Sequence, residues 1–370
     1  MKYFILAGES SGDIHGANLI RAIKQKDSNA EFAFWGGDVM ESVAGVKALC
    51  HVHQLAFMGF WEVMVHLKII LRLFKNCKRD IQDFEPDVLI LIDYPGFNLR
   101  MAKWATLQNI KVVYYIVPQV WAWHQSRVKK LKKFTHTLIA ILPFEEDFFK
   151  RHDCDVVYVG HPLLDELNHW EEQNIGQEKD QKKRYNLALL PGSRKQEIEL
   201  MLPIFLTTAE ALNLDCIIAK SQHLPEEFYT NIIQKTGVSN INVELLSGKM
   251  YHILHNSLFA FVTSGTATLE TALCGTPQVV CYKGSSISYW IAKKLVKLSY
   301  ISLVNLILNK ALVKELIQQD MTKENLILAY HEGMKNKNNI LEGYEQLRHV
   351  LGSKGASNRA ADVILDIAAK

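Results

Sequence analysis

The sequence predicts an α/β protein made of two Rossmann-like lobes facing each other across a cleft. Three observations predict it. Short β-rich runs alternate with helical stretches, the pattern of parallel sheets covered by helices on both faces. A polar segment, Glu171 to Arg184, parts two such series, and a new strand with a new glycine turn opens directly after it. The chain has 370 residues, 48% hydrophobic, 22% charged and 10% aromatic, enough for two domains that each bury a sizeable core.

In the first half the strands are expected at Tyr3–Ala7, Phe32–Trp35, Val88–Ile92, Val112–Ile116, Leu138–Ile141 and Val156–Val159. In the second they are expected at Leu187–Leu190, Cys216–Ala219, Phe259–Val262 and Gln278–Cys281. The domains then run 1–168, a polar interlobe segment 169–186, a second lobe 187–340 and a helical tail 341–370. That tail is broken at Gly352 and Gly355, and would pack on the first lobe or be exchanged in a dimer.

Composition excludes several classes. The net charge of +3 is too small to argue for a nucleic-acid partner, and none is expected. Six scattered cysteines form no CxxC and no Cys/His cluster, which argues against a zinc site or a disulfide framework and fits a reducing cytoplasm. No run approaches the roughly 18 apolar residues of a membrane span, and the N-terminus meets charge too early for a signal peptide.

Ligands of doubly wound sheets bind beyond the carboxyl ends of the strands, so motifs there carry most weight. The first strand ends in Gly8-Glu-Ser-Ser-Gly-Asp-Ile-His-Gly16. Ser10, Ser11, Gly12, Asp13 and His15 can line a polar ligand at a helix N-terminus; a tight turn capped by Ser11 or Asp13 is the plainer reading. Asp93 ends the strand Val88–Ile92 ahead of a Pro-Gly turn, where a general base would stand, although a turn-forming Asp fits as well. Past Val112–Ile116, Gln119 and His124 in Tyr115-Ile-Val-Pro-Gln-Val-Trp-Ala-Trp-His124 can reach a cleft.

The second half offers two anion-ready turns. In Leu190-Pro-Gly-Ser-Arg-Lys-Gln-Glu197, the amides of Gly192 and Ser193 with the Arg194 guanidinium form a diphosphate clamp. In Thr263-Ser-Gly-Thr-Ala-Thr-Leu-Glu270, the amides of Gly265 and Thr266 can take phosphate oxygens, and Glu270 can accept both hydroxyls of a ribose. Two such helix starts in one lobe point to a nucleoside diphosphate. Neither is GxGxxG, which disfavours a dinucleotide oxidoreductase. The stretch Phe57–Phe74 is apolar over a wide arc, with Lys68, Arg72 and Lys75 beside it; buried core competes there with a surface that touches anionic lipid. Arg127 and Lys129–Lys133 form a second basic run that reads either as a solvated helix face or as a headgroup contact.

Taken together, AGESSGDIHGANLI, FMGFWEV, IDYPGFNLR, YIVPQVWAWH, ILPFEEDFF, VGHPLLDE, LLPGSRKQEI, TSGTATLETAL, GTPQVVCYK and SLVNLI followed by KELIQQ resemble the lipid A disaccharide synthase family of GT-B fold glycosyltransferases. The resemblance covers residues from about 7 to about 320 and implies an inverting transfer. The donor would be UDP-2,3-diacylglucosamine and the acceptor the 6-hydroxyl of 2,3-diacylglucosamine 1-phosphate; the products would be a β-1′,6-linked disaccharide 1-phosphate and UDP. It implies Asp93 as base, with Glu9 and His15 as alternatives, and Arg194 on the diphosphate. Glu270, Asn305, Glu315 and Gln318 fall on nucleotide-side motifs. It further implies a lipid-contacting patch of Trp61, Val63, Met64, Leu67, Ile70, Leu71 and Phe74 on a peripheral protein of the cytoplasmic face of the inner membrane. A homodimer is left open. No cofactor is implied. No acidic pair accompanies the diphosphate loop, so Mg²⁺ is not expected to be obligatory, and activity should persist in excess EDTA. The nearest rival is another UDP-sugar enzyme of the same fold, such as an epimerase.

Overall fold

The computed structural model describes residues 1–55, 67–122, 125–174, 185–284 and 299–369. The chain divides into two compact units, one of Met1–Asp165 with Ser353–Lys370, the other of Glu166–Gly352.

The first unit holds a seven-stranded sheet in the order β3-β2-β1-β4-β5-β6-β7. Its strands are β1 (Lys2–Ala7), β2 (Glu31–Gly36), β3 (Cys50–His51), β4 (Val88–Ile92), β5 (Lys111–Tyr115), β6 (Thr137–Ala140) and β7 (Val157–Tyr158). All pairings are parallel. Helices on both faces make the central strands apolar throughout, and Phe4, Ile5, Leu6, Leu89, Ile90 and Leu91 are fully buried. The helices that matter to the site are α1 (Ser10–Lys26), α2 (Asp38–Ala44), α3 (Leu67–Phe84), α4 (Pro95–Leu107), α5 (Val128–Phe134) and α6 (Pro143–Lys150).

The second unit repeats the plan with six parallel strands in the order β10-β9-β8-β11-β12-β13. They are β8 (Tyr185–Leu190), β9 (Cys216–Lys220), β10 (Val243–Ser247), β11 (Ser257–Thr263), β12 (Gln278–Tyr282) and β13 (Lys314–Ile317). Helix α7 (Leu163–Gln173) begins at the boundary between the units, and α8 (Lys195–Ala211) follows β8. Next come α9 (Glu226–Thr236), α10 (Met250–His255), α11 (Thr266–Leu273), α12 (Leu303–Leu308), α13 (Lys323–Lys335) and α14 (Lys337–Leu351).

All ten expected strands are present. Three were not expected, β3, β10 and β13, and each is the outermost strand of its sheet. The segment from residue 341 is divided: α14 belongs to the second unit, while the final helix α15 (Ala356–Ala369) packs on α1 of the first. Left-handed glycines at Gly352 and Gly355 separate them. The Asp165 carboxylate accepts the Gly355 and Ser357 amides at the start of α15, and Arg359 Nε donates to the Val159 carbonyl at 2.8 Å.

Each order is that of a classical dinucleotide fold, with the strand sequence reversing direction between β1 and β4 and again between β8 and β11. Ligands of such sheets sit beyond the carboxyl ends of the two strands at that reversal.

Candidate active site

In the first unit the reversal brings Gly8–Asp13, after β1, beside Asp93, after β4. A Cβ on Gly8 would lie 2.3 Å from the Tyr94 ring, so only glycine lets the two strand ends close on each other. Ser10 and Ser11 are exposed in the first turn of α1, whereas Gly12, Asp13 and His15 are buried. Asp13 is committed elsewhere: its carboxylate accepts the amides of Gly37, Val39 and Met40 at 2.8, 3.1 and 3.0 Å, capping the start of α2. The structure corrects the plainer reading: Asp13 caps α2 and not the helix of its own turn. His15 lies near His161, and burial lowers their pKa values to about 4 and about 3, so both imidazoles are neutral at pH 7.

Asp93 is half-buried and strained. Asp93 and Tyr94 both adopt left-handed backbone, at φ 42° and 50°, which costs non-glycine residues roughly 1–3 kcal/mol each. Tyr94 also precedes Pro95, where extended backbone is usual. The Asp93 carboxyl is pushed up to about 7, first by burial and then by the charge of Glu9. A third acid, Glu145, was not singled out from sequence. It accepts Trp121 Nε1 at 3.0 Å and the amides of Ile141 and Leu142, and burial with the charge of Asp93 raises it to about 7. Gln119 is exposed beyond β5, and His124 lies outside the described residues.

In the second unit the reversal brings Gly192–Arg194, after β8, beside Gly265–Glu270, after β11. Gly192 stands at φ 107°, and a Cβ there would come within 2.8 Å of Glu197 Oε2. Ser193 and Arg194 are exposed at the start of α8, and Arg194 Nη1 donates to Glu197 Oε1 at 3.1 Å. Gly265 caps α11, Thr266 is exposed in its first turn, and Glu270 sits half-buried one turn in. Burial, then the charge of Glu166, pushes Glu270 up to about 7. Glu166 is itself raised to about 6 by burial, against the lowering effect of the Tyr251 hydroxyl. Glu166 closes the VGHPLLDE motif quoted above, which signalled the residue without assigning it a role.

Two nucleotide-side expectations take a different form. Asn305 is buried, with both polar atoms spent internally: Nδ2 donates to the Val313 carbonyl and Glu315, and Oδ1 accepts the Leu312 and Val313 amides. Glu315 accepts the Ile301 and Ser302 amides at 2.9 and 3.0 Å. Ser264 in turn donates to the Ile301 carbonyl at 3.2 Å. The pair thus frames the segment that backs the Gly265 turn. Gln318 is left-handed at φ 54°, and its side-chain amide faces the backbone N–H and carbonyl of Gly284. Gln318 and Gly284, together with Gln196, Glu199 and Lys283, line a hollow of about 750 Å³.

Of the apolar patch, Trp61, Val63 and Met64 lie outside the described residues, as does the side chain of Leu67. Leu71 is 58% exposed and Ile69 42%. Ile70 is half-buried, and Phe74 turns inward to stack on Phe97 at 4.1 Å, so Phe74 belongs to the core side of α3. Among the described residues no helix is long and apolar enough to cross a membrane. One group there has metal-ligating chemistry, Asp38 on α2, His51 on the edge strand β3 and His53 in the helical turn after it, with ligand atoms within 4.8 Å of one another.

The chain matches the family described as Lipid-A-disaccharide synthetase over residues 3–366. It is 37% identical over 379 aligned residues to the lipid-A-disaccharide synthase of Syntrophus aciditrophicus, covering 99% of this chain and 97% of that one. It is 33% identical to that of Myxococcus xanthus, with the same shares covered. Among solved structures it resembles the UDP-GlcNAc 2-epimerase of Neisseria meningitidis bound to UDP-GlcNAc, with TM-score 0.66 and 14% identity over 99% of this chain and all of that one. It also resembles a glycosyltransferase of kitacinnamycin, with TM-score 0.65 and 13% identity over 99% and 98%. At such identity these likenesses speak for the two-Rossmann GT-B fold alone. With the sequence match spanning almost the whole chain, the protein belongs to the lipid-A-disaccharide synthetase family and is a glycosyltransferase of lipid A disaccharide formation.

Proposed function

We propose that this enzyme moves 2,3-diacylglucosamine from its UDP derivative to the 6-hydroxyl of 2,3-diacylglucosamine 1-phosphate. The observation that carries the residue roles is the placing of both constellations at the strand reversals of their own sheets. An α-linked donor that gives a β product requires one displacement with inversion. It needs one base for the attacking hydroxyl and stabilisation for the departing diphosphate.

Each unit carries the groups for one of these tasks. Asp93 takes the proton of the acceptor hydroxyl as the new C–O bond forms; its raised pKa makes it a stronger base than an ordinary carboxylate while leaving much of it ionised near neutrality. On the second unit, Arg194 and the amides at the starts of α8 and α11 receive the charge that builds on UDP as the C–O bond to the diphosphate breaks. Glu270 accepts the ribose hydroxyls. Asn305, Glu315 and Gln318 serve the nucleotide by fixing backbone around it.

The test is purified protein with both lipids in mixed micelles, following UDP release and disaccharide together by mass spectrometry. Equal yields are expected. UDP binding without disaccharide would move the acceptor elsewhere, and no UDP binding would overturn the reading.

We further propose that α3 touches the surface of the inner membrane. Leu71 and Ile69 stand exposed on either side of Lys68, Arg72 and Lys75, apolar side chains that flank cations suited to anionic headgroups. Leu71→Asp is expected to lower co-sedimentation with anionic phospholipid vesicles several-fold while sparing UDP binding. Unchanged sedimentation would count against the surface.

A further inference from the structure

The strained turn at Asp93 is held by two buried side chains. The Tyr114 hydroxyl, from β5, donates to the Asp93 carbonyl at 2.6 Å. Asn98 Nδ2, from the first turn of α4, donates to the same carbonyl at 2.7 Å and to the Ile92 carbonyl at 3.1 Å. On its other side the Asp93 amide donates to the Tyr115 carbonyl at 3.3 Å. Asn98 and Tyr114 are both fully buried. Consecutive left-handed residues ahead of a proline do not persist unless their surroundings over-determine them. Here two side-chain donors and one backbone acceptor from two neighbouring elements fix the two peptides that flank Asp93.

We propose that Tyr114 and Asn98 are positioning residues for transfer: they grip the Asp93 carbonyl and so aim the Asp93 carboxylate. The inference rests on Asp93 being the base. Released from the grip, Asp93 and Tyr94 would relax to ordinary backbone, and the carboxylate would swing out of its desolvated place beside Glu9. Small displacements of a reacting group are costly to turnover even when binding is untouched.

The experiment compares Tyr114→Phe and Asn98→Ser with Asp93→Asn in the full chain, reading kcat, KM for both lipids, UDP affinity, the pH profile of kcat and thermal melting. Tyr114→Phe keeps the ring and loses only the donor. It is expected to lower kcat about 10- to 100-fold with KM and UDP affinity within about twofold. The acid limb of its profile should move below 7, towards an ordinary carboxylate, and Asn98→Ser should act in the same direction. Wild-type kcat with an unmoved limb in both variants, even with lowered melting, would overturn the proposal. Slower turnover with an unmoved limb would also overturn it, because the carboxylate would have kept its surroundings. Full activity in Asp93→Asn would instead overturn the base assignment, and this inference with it.

Discussion

Asp93→Asn is expected to cut disaccharide formation by about 10²- to 10⁴-fold, the usual share of a general base. UDP affinity should stay nearly unchanged, since the groups assigned to the nucleotide lie on the other unit. The wild-type rate should fall as pH drops through about 7, rather than through the ordinary carboxylate range, because below it the base is protonated. The same variant should also be more stable than the parent. A carboxyl whose folded pKa stands above its unfolded one lets the folded state hold an extra proton in the interval between them. Its cost to stability is absent below the unfolded value, grows as pH rises through the window from about 4 to about 7, and is full above it. Asparagine carries no charge to desolvate. Melting at pH 8 should therefore rise, by about 2–4 °C for each kcal/mol released, while melting at pH 4 should hardly move. A variant that melts lower at pH 8 would contradict the strained, desolvated carboxylate described here.

Arg194→Ala is expected to act on the other side of the reaction. Loss of one charge-assisted contact to the diphosphate weakens UDP binding by about 1.5–3 kcal/mol, or roughly 10- to 100-fold in Kd by titration calorimetry. The lower end is favoured because Arg194 is exposed and already shared with Glu197 at 3.1 Å, an ion pair that the nucleotide must rearrange. Turnover should fall as well, since negative charge on the leaving group grows in the transition state. Arg194→Lys should recover part of the affinity but not the two-pronged grip. Equal loss of UDP affinity in Asp93→Asn and Arg194→Ala would refute the division of tasks.

The strands buried on both faces were legible because parallel sheets leave continuous apolar runs such as Val88–Ile92 and Phe259–Val262. The three strands missed are all edges, where one flank is unpaired and polar residues intrude: β3 has two residues, every residue of β10 is half-buried, and β13 reads Lys-Glu-Leu-Ile. Asp93, Arg194 and Glu270 were legible because position after a strand signals chemistry on its own. Glu145, Glu166, Tyr114 and Asn98 were not, since their significance lies in contacts between segments distant in sequence. Asn305 and Glu315 show the converse. Their motifs drew attention in the sequence, but only the fold reveals that their hydrogen bonds point inward.

The return of the chain to its first unit has a consequence for biosynthesis. Residues 1–165 leave the ribosome first, yet α15, whose Ala360, Ala361 and Ile364 are fully buried in that unit, is made only after the whole second unit. The second unit is one unbroken stretch and can fold while synthesis continues. The first must wait with the surface of α1 uncovered, so the unit whose larger part is translated earlier is completed last.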